Sequence, residues 1–343
     1  MTREHRISLL KTLPGLLISG FFLWWTFLRK DVHGARGFDP EAFRGLHFVQ
    51  PWWLAGVVLA SVSGYTIRCY RSYRMLRSVN ARFSECARVF MTSLAANNIL
   101  PLRVGDVMRI FTYSGDLNAT PSIILSTVIL EKLLDVFTLA LLFVVTIHYS
   151  TSVSAHVRLG AEIGVAVSTV GLLILVFGAR TLEGPVRNLF SRAKNARLAK
   201  LEHWLLLALD CIRQIGVAGT LMLVVYSFAA WICEGLLYVS AAHLINLQTD
   251  WVGPWQAVAE ANLSFLIPSS PGGIGPFEMA AKDALVRHGA PAASGALVGL
   301  LIHAWLFVTI TAVGGGMFLA HRARRVLRKP LLEEIDTLPV ELP

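Results

Sequence analysis

Ala96-Asn97-Asn98-Ile99-Leu100-Pro101-Leu102-Arg103-Val104-Gly105-Asp106 has a partner later in the chain. It is Ala261-Asn262-Leu263-Ser264-Phe265-Leu266-Ile267-Pro268, followed by Pro271-Gly272-Gly273-Ile274-Gly275. Each reads Ala-Asn, a short apolar run, Pro, then Gly, and each is followed by a proline (Pro121, Pro291) that opens a long apolar segment. The surrounding stretches, 84–118 and 255–290, are moderately apolar but broken by Pro and Gly, too interrupted to cross a bilayer alone. Non-helical backbone survives at membrane depth only where protein or a water-filled cavity satisfies its polar groups. Both are therefore expected to be re-entrant or broken hairpins.

Working outward, the rest of the chain is membrane-like. Of 343 residues, 55% are hydrophobic and only 15% charged, and mean hydropathy is +0.58. Soluble domains carry roughly 25% charged residues. Apolar runs at about 12–28, 51–68, 119–147, 159–179, 216–245 and 292–319 are each long enough to span a hydrocarbon core about 30 Å thick. The fold class expected is all-α and integral to the membrane, with about six spans and two hairpins in one domain over 1–343. The first hairpin unit covers about 84–147, the second about 255–319, and 321–343 forms a tail. The start of the chain resembles a signal peptide, but no small-residue cleavage site follows and the run ends in Phe21-Phe22-Leu23-Trp24-Trp25, an interfacial aromatic belt. It reads as a retained first helix.

The net charge of +9 does not point to nucleic acid, because the basic residues sit in short loops. They are Arg3, Arg6 and Lys11; Arg68, Arg71, Arg74, Arg77, Arg82 and Arg88; Arg180, Arg187, Arg192, Lys194, Arg197 and Lys200; and Arg322, Arg324, Arg325, Arg328 and Lys329. Six spans place all four groups on one side, the cytoplasm, with both termini there and a bacterial inner membrane as the setting. Loop 246–256 carries no Lys or Arg, whereas loop 29–50 is mixed. By this topology the two hairpins enter from opposite sides. Paired interrupted segments of opposite orientation are the inverted-repeat signature of secondary transporters, whose substrate site lies where the repeats meet. Chance likeness of two Asn-Pro-Gly loops is the plainer account.

Candidate site residues follow from charge inside apolar sequence. Glu131, Lys132 and Asp135 interrupt the third span, and a charge at the bilayer centre costs about 2.5–3.5 kcal/mol on insertion scales. Glu131 and Asp135 share a helix face, suited to a cation, a proton relay, or pairing with Arg103 or Arg109; a structural ion pair is the bland alternative. Arg103, Asp106 and Arg109, at spacing three, would share a face if helical, and two guanidiniums can fork a phosphate. Ser269, Ser270, Gly272, Gly273 and Gly275 permit close approach of a ligand to a hairpin tip. Glu278, in the first turn of the following helix, serves a site or merely caps the helix. Asn98 and Asn262 would satisfy the interrupted backbone. Glu234 and His303 are lone polar residues of the kind usually satisfied by a neighbouring helix. Gly160-x3-Gly164, Gly295-x3-Gly299 and Gly314-Gly315-Gly316 read as packing faces, and 185–203 as a segment on the cytoplasmic membrane surface. Cys69, Cys86, Cys211 and Cys233 are too scattered for a disulfide or zinc framework. No hydrolase or metalloprotease motif occurs, so no cofactor or metal is expected.

Three motifs in order carry a resemblance: Asn-x2-Pro-x-Arg-x-Gly-Asp-x2-Arg (Asn98 to Arg109), Glu-Lys-x2-Asp (Glu131, Lys132, Asp135) and Pro-Gly-Gly-x-Gly-x2-Glu (Pro271 to Glu278). Together they resemble the flippase-like transmembrane family that includes the N-terminal half of lysyl-phosphatidylglycerol synthases, over about residues 10 to 320. The resemblance implies a lipid flippase rather than an enzyme, with membrane lipids of anionic or aminoacylated headgroup as partners. It leaves open a homo-oligomer and partner enzymes of lipid synthesis. The chain ends at Pro343 without a synthase half, which resembles the stand-alone members, some associated with hopanoid or glycolipid pathways. A membrane transferase acting on lipid-linked substrates, or a scaffold, is the other expectation.

Overall fold

The computed structural model describes residues 14–29, 37–44, 48–149, 155–178, 182–190, 196–267 and 269–336, and every regular element among them is helical. The basic residues Arg3, Arg6, Lys11, Arg180, Arg192 and Lys194, the proline Pro268 and the end of the tail lie outside the described residues.

Each apolar run is a helix. They are α1 (Pro14–Leu28), α3 (Trp53–Met75), α6 (Pro121–Ile147), α7 (Ala155–Gly178), α9 (Ala196–Leu244) and α12 (Ala292–Asp336). Short helices α2 (Pro40–Arg44) and α8 (Glu183–Phe190) lie between them. Helix α9 bends at Gly216, whose φ of 69° and ψ of 176° break the helical geometry at the expected start of the fifth span. Two stretches, Arg213–Leu244 and Ala292–Arg324, are long and apolar enough to cross a bilayer by length and composition.

Around an apolar core, burial departs from that of a soluble protein at both extremes. Leu59, Val62, Val167, Leu221, Val225 and Val308 are exposed, while Arg68, Arg71, Arg109, Glu131, Glu234 and Glu278 are buried. Apolar groups outside and compensated charges inside are what a lipid solvent demands.

The broken stretches form two helical hairpins. The first pairs α4 (Phe83–Ile99) with α5 (Val104–Phe111), and the second pairs α10 (Gly253–Leu263) with α11 (Pro276–Arg287). At 1.5 Å per residue the arms measure roughly 12–25 Å, short of a hydrocarbon core about 30 Å thick. Each leads into the helix opened by its proline: Pro121 starts α6, whose first turn is capped by Thr120, and Pro291 precedes α12. Packing is exchanged between the units. Arm α4 lies on α12, and arm α10 lies on α6. Where α4 meets α12, a Cβ on Gly314 would come within 2.2 Å of the Met91 carbonyl. Gly295 and Gly299 pack on α11, but Gly160, Gly315 and Gly316 meet nothing within 4 Å, so those three are not packing positions among the described residues.

Candidate functional site

The charges of the third span lie at the centre of a network spread over six helices. Glu131 accepts from Arg109 Nη1 at 3.0 Å, and Arg109 Nη2 donates to Ser72 Oγ at 2.8 Å. Asp135 is gripped by both terminal nitrogens of Arg71, at 2.7 and 3.2 Å, and by Trp231 Nε1 at 3.2 Å. Arg71 also donates to Ser227 at 2.7 Å. Glu234 accepts from Arg68 at 2.6 Å and from Asn262 at 2.9 Å. Asp106 accepts from Asn97 at 3.1 Å, and Asn97 Oδ1 receives the Asp106 N–H in return. Lys132 Nζ lies 3.8 Å from Glu131 and 3.9 Å from Asp106, beyond hydrogen-bond length, with 38% of its side chain exposed. Within this network four cations thus match four carboxylates.

Several residues occupy places other than those expected. Arg68 and Arg71 are not loop residues of a cytoplasmic cluster. Helix α3 runs seven residues past the expected end of its span and carries both inside it, on the stripe Val57, Ser61, Gly64, Arg68, Arg71 and Met75. Arg103 and Arg109 do not share a face either. The helix starts only at Val104, and Arg103 stands before it in the left-handed region at φ 52°. Arg103 remains exposed and donates to the Phe265 carbonyl at 2.7 Å, whereas Arg109 is 1% exposed and committed to Glu131 and Ser72. Asn98 and Asn262 do not serve the interrupted backbone. Asn98 donates to the Phe307 carbonyl (3.3 Å) and Thr311 (3.1 Å) on α12, and Asn262 bonds to Glu234 and back to Val258.

The second tip uses its own N–H groups. Gly273 N–H goes to the Ser270 carbonyl (3.0 Å), and Gly275 N–H to the Glu278 carboxylate (2.7 Å), so Glu278 caps its helix. The tip is built on glycine: φ is 73°, 74° and 103° at Gly272, Gly273 and Gly275, a region side chains rarely enter. It seats against α1, where Ser19 Oγ accepts the Ser270 N–H at 2.9 Å and the Ser269 carbonyl abuts Gly15. The two tips meet. A Cβ on Gly272 would lie 3.5 Å from the Asn98 carbonyl, and Arg103 reaches Phe265 across the same junction.

Glu234 and His303 are indeed satisfied by neighbouring helices, His303 by Glu278 at 2.7 Å and by the Gly272 carbonyl at 2.9 Å. Sequence reasoning missed Arg68, Arg71, Ser72, Ser227 and Trp231 as partners; the helical register of α3 was the signal for the first two. It also missed a cluster beyond the network. Asp250 accepts the Val252 and Gly253 N–H groups (both 2.9 Å) and meets His288 Nδ1 at 2.8 Å, while His288 Nε2 lies 2.6 Å from Gln256 Oε1. Gln256 donates to Glu260 at 2.7 Å, which also pairs with Arg287. Partial burial alone would raise the Asp250 carboxyl, but bonds from His288 and the two amides outweigh it and hold its pKa below the ordinary value. Among the described residues no group of three or more His, Cys, Asp or Glu side chains comes together as a metal site.

Comparison with known proteins points to a family of membrane proteins. The family described as the lysylphosphatidylglycerol synthase TM region matches residues 13–314. A UPF0104 membrane protein of Methanocaldococcus jannaschii is 25% identical over 242 residues, which cover 69% of this chain and 98% of the relative. No solved structure matches the chain. With nearly its whole helical region matched, including both hairpins and the charged helix between them, the chain belongs to the lysylphosphatidylglycerol synthase TM-region family of membrane proteins.

Proposed function

We propose that the protein moves a lipid with a phosphate-bearing headgroup, anionic or aminoacylated, between the leaflets of a bacterial inner membrane. In this reading the six long helices are spans, both termini are cytoplasmic, and the hairpin units form an inverted repeat. The observation that carries it is the junction of the two hairpin tips beside a buried, charge-balanced network. Interrupted backbone meeting at depth is where transporters of this architecture hold cargo. The exchanged packing of α4 on α12 and α10 on α6 is what two related units of opposite orientation would produce.

The geometry redistributes the headgroup roles. Arg109, Glu131 and Asp135 are consumed by internal pairs and build the scaffold. The cations that keep exposed surface are Lys132 and Arg103, flanking Asp106. They would take the phosphate, and Asp106 the ammonium of an aminoacyl group.

The test is translocation of a fluorescent phosphatidylglycerol in proteoliposomes, read by bleaching of the outer leaflet. Protein should accelerate it well above empty vesicles. Lys132→Gln should slow it about tenfold, the equivalent of one lost interaction of about 1.4 kcal/mol, with fold and yield unchanged. Equal rates with and without protein would sink the reading. A lipid product carrying a new covalent bond would favour the transferase instead.

A further inference from the structure

His303 and Glu278 do more than satisfy each other. His303 Nε2 lies 2.9 Å from the Gly272 carbonyl, an atom that only accepts, so Nε2 carries a hydrogen and donates it. Nδ1 lies 2.7 Å from Glu278 Oε1. Oε2 of the same carboxyl accepts the Gly275 N–H at 2.7 Å. A contact between Nδ1 and a carboxyl oxygen at that length needs one proton between them, as imidazolium with carboxylate or as imidazole with carboxylic acid. With none, two lone pairs oppose each other. With two, two hydrogens do. The observed geometry therefore fits a single proton count.

The pair is enclosed. Side-chain exposure is 7% for His303 and 3% for Glu278, and the Phe277 ring stacks on the imidazole with centroids 4.3 Å apart. Among the described residues, Tyr238 on α9 feels Glu278 and also Glu234 and Tyr65, Glu234 pairs with Arg68 on α3, and Lys282 follows Glu278 by four residues on α11. Arg68 and Glu234 neutralise each other, Lys282 donates to the Thr26 carbonyl of α1, and Tyr238 presents a buried hydroxyl without a hydrogen-bond partner. No permanent cation is bonded to the Glu278 carboxylate among the described residues, in contrast to Glu131, Asp135 and Glu234.

The location gives the proton leverage. Through Gly272, His303 holds the tip that touches Phe307 on α12, Asn98 at the end of α4 and Ser19 on α1. We propose that Glu278 and His303 form a one-proton binding site whose loading engages the second hairpin tip and whose emptying releases it, coupling cargo movement to a proton. Loading is the uptake of H⁺ by neutral His303 facing the Glu278 carboxylate. Emptying returns that H⁺, leaves a lone pair against the carboxylate, and lets the imidazole turn away from Gly272. That the cargo is a lipid rests on the reading above; the proton site does not.

The experiment uses the full chain in lipid nanodiscs with ¹⁵N-histidine, the His303 ring signals being assigned by their loss in His303→Gln. Across a pH series the ring signals count the protons on His303, and loss of one should coincide with release of the tip. Amide exchange over residues 269–276, normalised to α3 peptides, should then rise about tenfold. Glu278→Gln retains an oxygen for the Gly275 N–H and offers its amide N–H to an Nδ1 lone pair, which reproduces the loaded pair, so the tip should exchange slowly at every pH. His303→Gln, which removes the ring that holds Gly272, should instead exchange fast at every pH. A ring that stays doubly protonated across the series, or a wild-type tip whose exchange ignores pH, overturns the proposal. Fluorescent phosphatidylglycerol in proteoliposomes under an imposed pH gradient separates the two readings. A titrating ring and responsive tip with no lipid movement keep the proton site and remove the lipid. Lipid movement indifferent to the gradient, with a silent ring, does the reverse.

Discussion

The two hairpins turn on similar sequence but are fastened by different chemistry. The first is held to its neighbour by an arginine, Arg109 to Glu131 on α6 at 3.0 Å, while Arg88 and Asp116, 2.8 Å apart, tie it to itself. In the second, both ends of α11 hang on histidines. His303 joins Glu278 and the tip at one end, and His288 joins Asp250 and Gln256 at the other. An arginine pair there, Arg287 with Glu260, likewise ties the two arms to each other. A guanidinium stays charged at any pH a membrane meets, and an imidazole does not. The difference teaches that one hairpin is built as a fixed wall and the other as a part that can be let go.

The largest loss is expected behind the first hairpin, where Arg71 on α3 holds Asp135 on α6. Arg71→Met strands Asp135 with only the Trp231 N–H, and removing one partner of a buried pair costs about 3–5 kcal/mol. The thermal midpoint in detergent should fall steeply, and Arg71→Met with Asp135→Leu should recover most of the loss, because the uncompensated charge is gone. His303→Gln replaces the ring with an amide that can still donate to Glu278, and should cost about 1–3 kcal/mol. Equal losses at Arg71 and His303 would erase the distinction. A finer break lies in the first hairpin's close packing. A Cβ on Gly105 would come within 1.9 Å of the Ser93 carbonyl, backbone that cannot swing aside. Gly105→Ala should therefore push α5 off α4, cost about 2–3 kcal/mol, and lower translocation with stability. Lys132→Gln should do the opposite, leaving the midpoint within roughly 0.5 kcal/mol of wild type while translocation falls.

The sequence carries its legible part in runs and interruptions. Each apolar run is a helix, and each Pro-Gly interruption is a hairpin tip, because apolar length and missing N–H donors act locally. The pairing of Glu131 with Arg109 was one of the options its register left open. What stayed hidden are partners distant in the chain. Nothing near Arg71 announces Asp135, 64 residues on, or near Arg68 announces Glu234, 166 residues on. Counting arginines for topology assigned both to a loop, although their spacing continues the small-residue stripe of α3. His303 looked solitary because its meaning lies in Glu278 and in a carbonyl at the tip, brought to it only when α11 folds against α12.

The outer end of α11 offers the gentlest test. Asp250 caps the start of α10 through two N–H groups and reaches His288 with its other oxygen. Its folded-state pKa is depressed, so its stabilisation is present above the ordinary carboxylate value and is lost as pH falls through the lower folded value. Asp250→Asn keeps an oxygen for the cap and loses the charge. With the side chain 49% exposed, solvent screening limits the cost to about 1 kcal/mol or less at neutral pH. Thermal midpoints of the two proteins should differ slightly near pH 7 and converge as acid protonates Asp250. A gap that persists in acid would mean the amide disturbs the turn itself. The His288 fastening would then be a matter of shape rather than charge, and proton sensitivity in the second hairpin would reside at its tip alone.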